Sequence, residues 1–139
     1  MEYRRFNDTI VLRLDAGDEI ISSVLETAKR ENIRLASLTG IGGTDDVTTG
    51  VFDMNTRAYN KFHFTGTHEI TSLVGNINTM NSEEYTHIHI TLAGSDGNIV
   101  GGHLLSCVIS LTAEIFITVI DGNVDRKKDE NLHINKFDF

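Results

Sequence analysis

Only one stretch of this chain carries helical spacing; almost everything after it alternates. In "DEIISSVLETAKRENI" the apolar residues Ile20, Ile21, Val24, Leu25 and Ala28 recur at i, i+4 and i+8 and form one stripe. Asp18 and Glu19 suit the positive end of a helix dipole, Lys29 and Arg30 suit the negative end, and Asn32 suits a C-terminal cap. The spacing predicts a helix over about 18–31. Before it, Ile10, Leu12 and Leu14 alternate with Val11, Arg13 and Asp15, as in a strand. After it, "IRLASLTG" reads as a strand ending at Gly40 and "GIGGTDD" as a loop. "DVTTGVFD", "AYNKFHFTG", "THEITSLVGNIN", "THIHITLAG", "NIVGGHLL", "TAEIFITVIDG" and "NLHINKFDF" read as further strands. The expected fold is α+β: one domain over 1–139, a curved, mostly antiparallel sheet of about seven to nine strands and one main helix.

Composition narrows the function classes. The chain has no stretch of 18 consecutive apolar residues, and its start, "MEYRRFNDTIV", has no apolar core of a secretory signal. Cys107 is the single cysteine, so no intrachain disulfide can form. Cytoplasmic localisation and no membrane partner are expected. Cys107 lies in the apolar run "LLSCVISL" and reads as a small buried hydrophobe. The formal charge is −8, whereas binding nucleic acid through phosphates needs clustered Lys and Arg. The basic cluster Arg126-Lys127-Lys128 stands beside Asp125, Asp129 and Glu130, which offset it. Direct DNA binding by the chain alone is disfavoured. The glycine-rich "TGIGGTDD" lacks both a following helix pattern and a G-K-[ST] signature, and Asp45-Asp46 would repel phosphate.

Three of the six histidines lie in "THIHITLAGSDGNIVGGHLLSC". His87 and His89, two apart on a strand, point to one face, while Ile88, Ile90 and Leu92 point to the other. The turn decides where His103 falls. A two-residue Asp96-Gly97 turn pairs His103 with Ile90, on the apolar face. A three-residue Ser95-Asp96-Gly97 loop, with Gly97 in the left-handed conformation, pairs Gly94 with Asn98 and His89 with His103. Only the second register leaves Ile88, Ile90, Leu92, Val100 and Leu104 together on one face. It brings His87, His89 and His103 together on the other.

Three imidazoles can hold a divalent transition metal, zinc first among them. The competing reading is three hydrogen-bonded polar residues at a subunit interface. Gly101 and Gly102 would leave room beside His103, and Glu69 is a candidate to orient an imidazole from behind. His63, His68 and His133 read as structural or solvated. No catalytic residue stands out.

Four blocks carry a family resemblance: "GDEIISSVLETAKRENIRLASLTGIGGTDDVTTGVFD", "FTGTHEITSLVGNI", "HIHITLAGSDGNIVGGHLL" and "TAEIFITVI". Together they resemble the PPC (plants and prokaryotes conserved) domain from about Arg4 to Phe137. The resemblance implies a curved antiparallel sheet with a helix, assembled as a homotrimer. It also implies self-association and contact with transcription regulators, and DNA-binding kinship for single-domain prokaryotic members. His87, His89 and His103 match a metal site of some of those members. The chain lacks the AT-hook of plant relatives and has no proline. The plant-type Gly-Arg-Phe-Glu-Ile block is here Gly66-Thr67-His68-Glu69-Ile70. Two functions are therefore expected to compete: a trimeric regulatory or interaction module, and a metal-dependent enzyme or small-molecule binder at a cleft between subunits.

Overall fold

The computed structural model describes residues 1–139. It contains one helix, α1 (Ile20–Arg30), and eight strands. These are β1 (Glu2–Phe6), β2 (Thr9–Asp15), β3 (Ala36–Asp53), β4 (Ala58–Met80), β5 (Glu83–Gly94), β6 (Ile99–Val119), β7 (Asp125–Asp129) and β8 (Ile134–Asp138). All belong to one sheet, antiparallel except for a single parallel contact, Thr79 with Asp125. Strands β3, β4, β5 and β6 pair in a closed ring. β1 and β2 extend it beyond β6, and the β7–β8 hairpin extends it beyond β4.

The helix begins and ends on particular side chains. The Glu19 carboxylate accepts hydrogen bonds from the backbone N–H groups of Ile21 (3.1 Å) and Ser22 (2.7 Å), two donors with no partner inside the helix. It also accepts from the N–H of Cys107 at 3.2 Å, which ties the helix start to β6. At the other end the cap is Glu31 rather than the expected Asn32, and Asn32, with φ 53°, supplies the left-handed residue one position beyond it. Ile20, Val24 and Ala28 are fully buried against the sheet, as the stripe requires.

Three sequence readings are corrected. "GIGGTDD" is not a loop but the middle of β3, where register shifts at Gly40/Gly42 and Thr44/Asp46 bend an unbroken strand. The glycines allow close strand approach: a Cβ on Gly42 would lie 2.6 Å from the Thr112 carbonyl oxygen. "AYNKFHFTG" and "THEITSLVGNIN" are one strand, as are "NIVGGHLL" and "TAEIFITVI". The N-terminal strand β1 carries no apolar alternation, so the pattern did not reveal it.

Strand β5 is confined closely on both sides. A Cβ on Gly75 of β4 would sit 2.3 Å from the His87 carbonyl oxygen, and one on Gly101 of β6 would sit 2.3 Å from that of Ile90. Both obstacles are backbone atoms, so an added methyl must push strands apart. Gly101→Ala should therefore lower stability by about 1–3 kcal/mol, read as a reduced urea midpoint. An unchanged midpoint would show that β6 can move away freely.

Candidate metal centre and adjoining cleft

The β5–β6 hairpin closes through the three-residue loop. The Gly94 N–H donates to the Asn98 carbonyl at 2.9 Å, the Gly97 N–H donates to the Gly94 carbonyl at 2.9 Å, and Gly97 has φ 80°. Asp96 caps the turn by accepting from the Asn98 N–H at 3.0 Å. From there the pairs run Ala93–Ile99, Thr91–Gly101 and His89–His103. Ile88, Ile90, Leu92 and Leu104 lie on the buried face.

On the opposite face one nitrogen from each of His87, His89 and His103 lies within 4.8 Å of the other two. The Nε2 atoms of His87 and His89 are 3.3 Å apart. Two imidazole nitrogens bound tetrahedrally to zinc at about 2.0–2.1 Å would be about 3.3 Å apart. That pair already has the spacing, and His103 needs a modest approach.

The electrostatics favour neutral rings at His87 and His103. Burial, then the nearby His87 and His89, pushes the His103 imidazole down to about 4. Burial, then the Arg126 charge and His89, lowers His87 as well. Neutral imidazole is the form that binds metal. Nδ1 of His103 is buried with no hydrogen-bond partner. No protein group fixes the tautomer of that ring, and its polar capacity is unspent. The donor set, its spacing and this unpartnered nitrogen fit a three-imidazole metal site.

The other expected residues lie elsewhere or act differently. Glu69 is paired with Gly43 and Ala93 and faces a separate cleft with Glu114, Ile41 and Leu111, so it does not orient an imidazole. Gly101 and Gly102 serve strand contact rather than an open space: a Cβ on Gly102 would lie 2.8 Å from the Gly50 carbonyl oxygen. His63 bonds Asp46 at 2.8 Å, and His68 bonds the Gly66 carbonyl at 2.7 Å. Cys107 is buried, and burial pushes its thiol up to about 11, which leaves it inert.

Sequence reasoning missed a cleft of about 310 Å3 beside the cluster. His87 and His103 line it with Phe52, Tyr59, Tyr85, His133, Ile134 and Asn135. The Tyr59 ring stacks on His103 with centroids 4.9 Å apart, and Phe52 meets Tyr59 edge-on at 5.3 Å. Arg126, on the hairpin, is buried and pairs with no carboxylate. Its guanidinium donates to Asn78 Oδ1, Asn76 Oδ1 and the Asn135 carbonyl, each at 2.9 Å. Tyr85 and Phe137 cover it, their ring centroids 4.9 and 4.5 Å from Cζ. Of the acids expected to offset this basic cluster only Glu130 pairs with it, through Lys128; Lys127 pairs with Asp138 instead, and Arg126 with no carboxylate. The one sequence signal was Arg126 itself, an arginine in a strand whose lysine neighbours have acids to pair with.

A closed β ring with one capping helix and an outward three-histidine face defines an α+β domain with a candidate metal centre. Residues 1–121 match the Plants and Prokaryotes Conserved (PCC) domain, and the chain belongs to that family. No curated protein sequence matches. Among solved structures, the chain is similar to a protein from Bacteroides thetaiotaomicron described as a "putative dna binding protein". The identity is 30% and the TM-score 0.96, over 99% of this chain and 96% of that one. It is similar to a plant- and prokaryote-conserved protein from Pyrococcus horikoshii at 26% identity and TM-score 0.88, over 99% and 94% of the two chains. It also resembles a metal-containing protein from Archaeoglobus fulgidus, at 29% identity and TM-score 0.88, over 98% and 96%. No helix is long and apolar enough to cross a membrane.

The depressed His103 gives a pH signature. The folded ring takes its proton near pH 4 and the unfolded ring near 6.5, so between these values the unfolded chain holds more protons. The contribution is complete above pH 6.5 and is lost as pH falls towards 4. Metal-free protein should lose thermal stability over that window more steeply than His103→Gln. Parallel melting curves for the two would contradict the assignment.

Proposed function

We propose that this protein is a cytoplasmic, homotrimeric regulatory or interaction module of the DNA-binding-protein type, with a divalent metal, zinc first, held by His87, His89 and His103. The observation that carries the metal reading is the meeting of three imidazoles, those of His87 and His103 held below their ordinary value, with an unspent buried nitrogen on His103. The metal-containing relative from Archaeoglobus fulgidus supports it. The regulatory reading rests on family membership and on the description of the Bacteroides relative. With a charge of −8, the module would act near DNA through protein partners rather than by its own phosphate contacts.

Self-association is supported by exposed apolar side chains along one cross-strand row and beside it. His89, Val74, Thr39 and Phe116 are cross-strand partners over β5, β4, β3 and β6. Val74 and Phe116 are 47% and 48% exposed, and Ile41 and Leu111 nearby are 56% and 68% exposed. Apolar side chains this open on one continuous face suit contact with other copies.

A second reading, a small-molecule binder or metal-dependent enzyme, is favoured by the cleft that reaches His87 and His103. Zinc held by three imidazoles would supply Lewis acidity there, able to polarise a carbonyl or activate water. His87, His89 and His103 would hold the ion, and Tyr59 would fix the His103 ring plane by stacking.

Zinc titration with light scattering tests the reading. Wild-type protein should run at three times the chain mass and retain one zinc per chain through desalting. His89→Ala should lose at least about a hundredfold in zinc affinity, the upper end for losing even an orienting partner. A duplex gel shift at moderate ionic strength should be absent. A monomer, zinc retention unaffected by His89→Ala, or a tight salt-sensitive shift would each overturn the corresponding part.

A further inference from the structure

The β7–β8 hairpin lies beyond the residues matched by the family. It touches the rest of the sheet through one parallel pair, Thr79–Asp125. Arg126 fastens it by reaching across to Asn76 and Asn78 of β4, and Asn135 Nδ2 donates to the Tyr85 hydroxyl of β5 at 3.3 Å. The hairpin and the turn joining its strands supply His133, Ile134 and Asn135 as one wall of the cleft. Phe52 and Tyr59, with Tyr85, His87 and His103, form the remainder.

The chemistry of these walls is selective. Tyr59 and Phe52 offer aromatic surface beside a stacked imidazole. A cleft of about 310 Å3 is small for a ligand site, near the lower bound of about 300 Å3. Such a space suits a planar ligand of one ring. Behind the Tyr85 and Asn135 walls, and not itself lining the cleft, Arg126 is a buried cation left without a counter-ion in a chain that carries 20 acidic residues. Its guanidinium has five N–H donors, and three are used by Asn76, Asn78 and Asn135. No acid of the hairpin contacts its guanidinium: Asp129 pairs with Lys136, Asp138 with Lys127 and Glu130 with Lys128, and Asp125 accepts from the Arg126 backbone N–H at 3.0 Å. One uncompensated positive charge favours a monoanion over a phosphate dianion, which would call for a second cation.

We propose that the cleft between the C-terminal hairpin and the histidine cluster binds a small aryl carboxylate, its ring against Tyr59 and its charge in the field of Arg126. The hairpin is then the specificity wall of the site, and Arg126 both fastens it and sets its preference for anions. This deepens the small-molecule reading above and does not require the metal, because the ring surface and the guanidinium belong to the chain.

Calorimetric titration of benzoate and of its neutral isostere benzamide, into metal-free and zinc-loaded protein, tests it. Zinc binding is measured separately by metal analysis, so a failure of the metal reading is seen on its own. Benzoate should bind saturably to at least one form, and benzamide at least about tenfold more weakly, a difference of about 1.4 kcal/mol. Tyr59→Ala, which leaves Arg126 and the histidines in place, should weaken benzoate by a similar factor. Arg126→Gln should abolish the preference for benzoate over benzamide, and Arg126→Lys should keep much of it. No saturable benzoate binding to either form, equal binding of benzamide, or indifference to Tyr59→Ala would overturn the proposal. Equal loss of preference in Arg126→Lys and Arg126→Gln would reduce Arg126 to a fastener and overturn its role in charge selection.

Discussion

A single backbone pair, Gly94 with Asn98, determines what the outer face of this protein can do. With Gly97 in the left-handed region, the loop spans three residues and His103 falls opposite His89. One residue fewer in the loop would turn His103 into the core, because side chains alternate along a strand. The close contacts at Gly75 and Gly101 then hold β5 in place between its neighbours, so the histidines sit on a strand with little freedom to slide. The buried residues of the same hairpin, Ile88, Ile90, Leu92 and Leu104, secure the register from the other side.

The core and the site are two faces of one sheet, and their demands agree. Burial keeps the apolar face dry, while partial burial, then the neighbouring charges, keeps the imidazoles of His87 and His103 short of protons. Arg126 adds a fixed positive charge nearby and disfavours an imidazolium at His87. With His87 and His103 held short of protons and Nδ1 of His103 unpartnered, the cluster is in the state that a metal ion completes.

Much of this was legible in the residues, for reasons that can be stated. The helix announces itself through one stripe and a carboxylate at its start. The histidine face follows from turn chemistry and alternation, both local properties. The strand through "GIGGTDD" was not legible, since glycine has no side chain to alternate and its role there is to admit the Thr112 backbone. Glu69 illustrates the same limit: it shares β4 with residues opposite the histidines, yet the bulge between Ile70 and Ser72 and the length of the strand carry it to another cleft. Arg126 was beyond reach because its partners, Asn76, Asn78 and Asn135, are distant in sequence and neutral. Tyr59 meets His103 only after β3 and β4 have folded back on one another.

X-ray absorption at the zinc edge, on protein loaded with one equivalent of zinc and free of any histidine tag, tests the central claim most directly. The account predicts a first shell of nitrogen and oxygen at about 2.0–2.1 Å with the outer-shell scattering of three imidazoles. That signature should be lost in His89→Ala. A sulfur shell at about 2.3 Å, or imidazole scattering unchanged by that substitution, would contradict it.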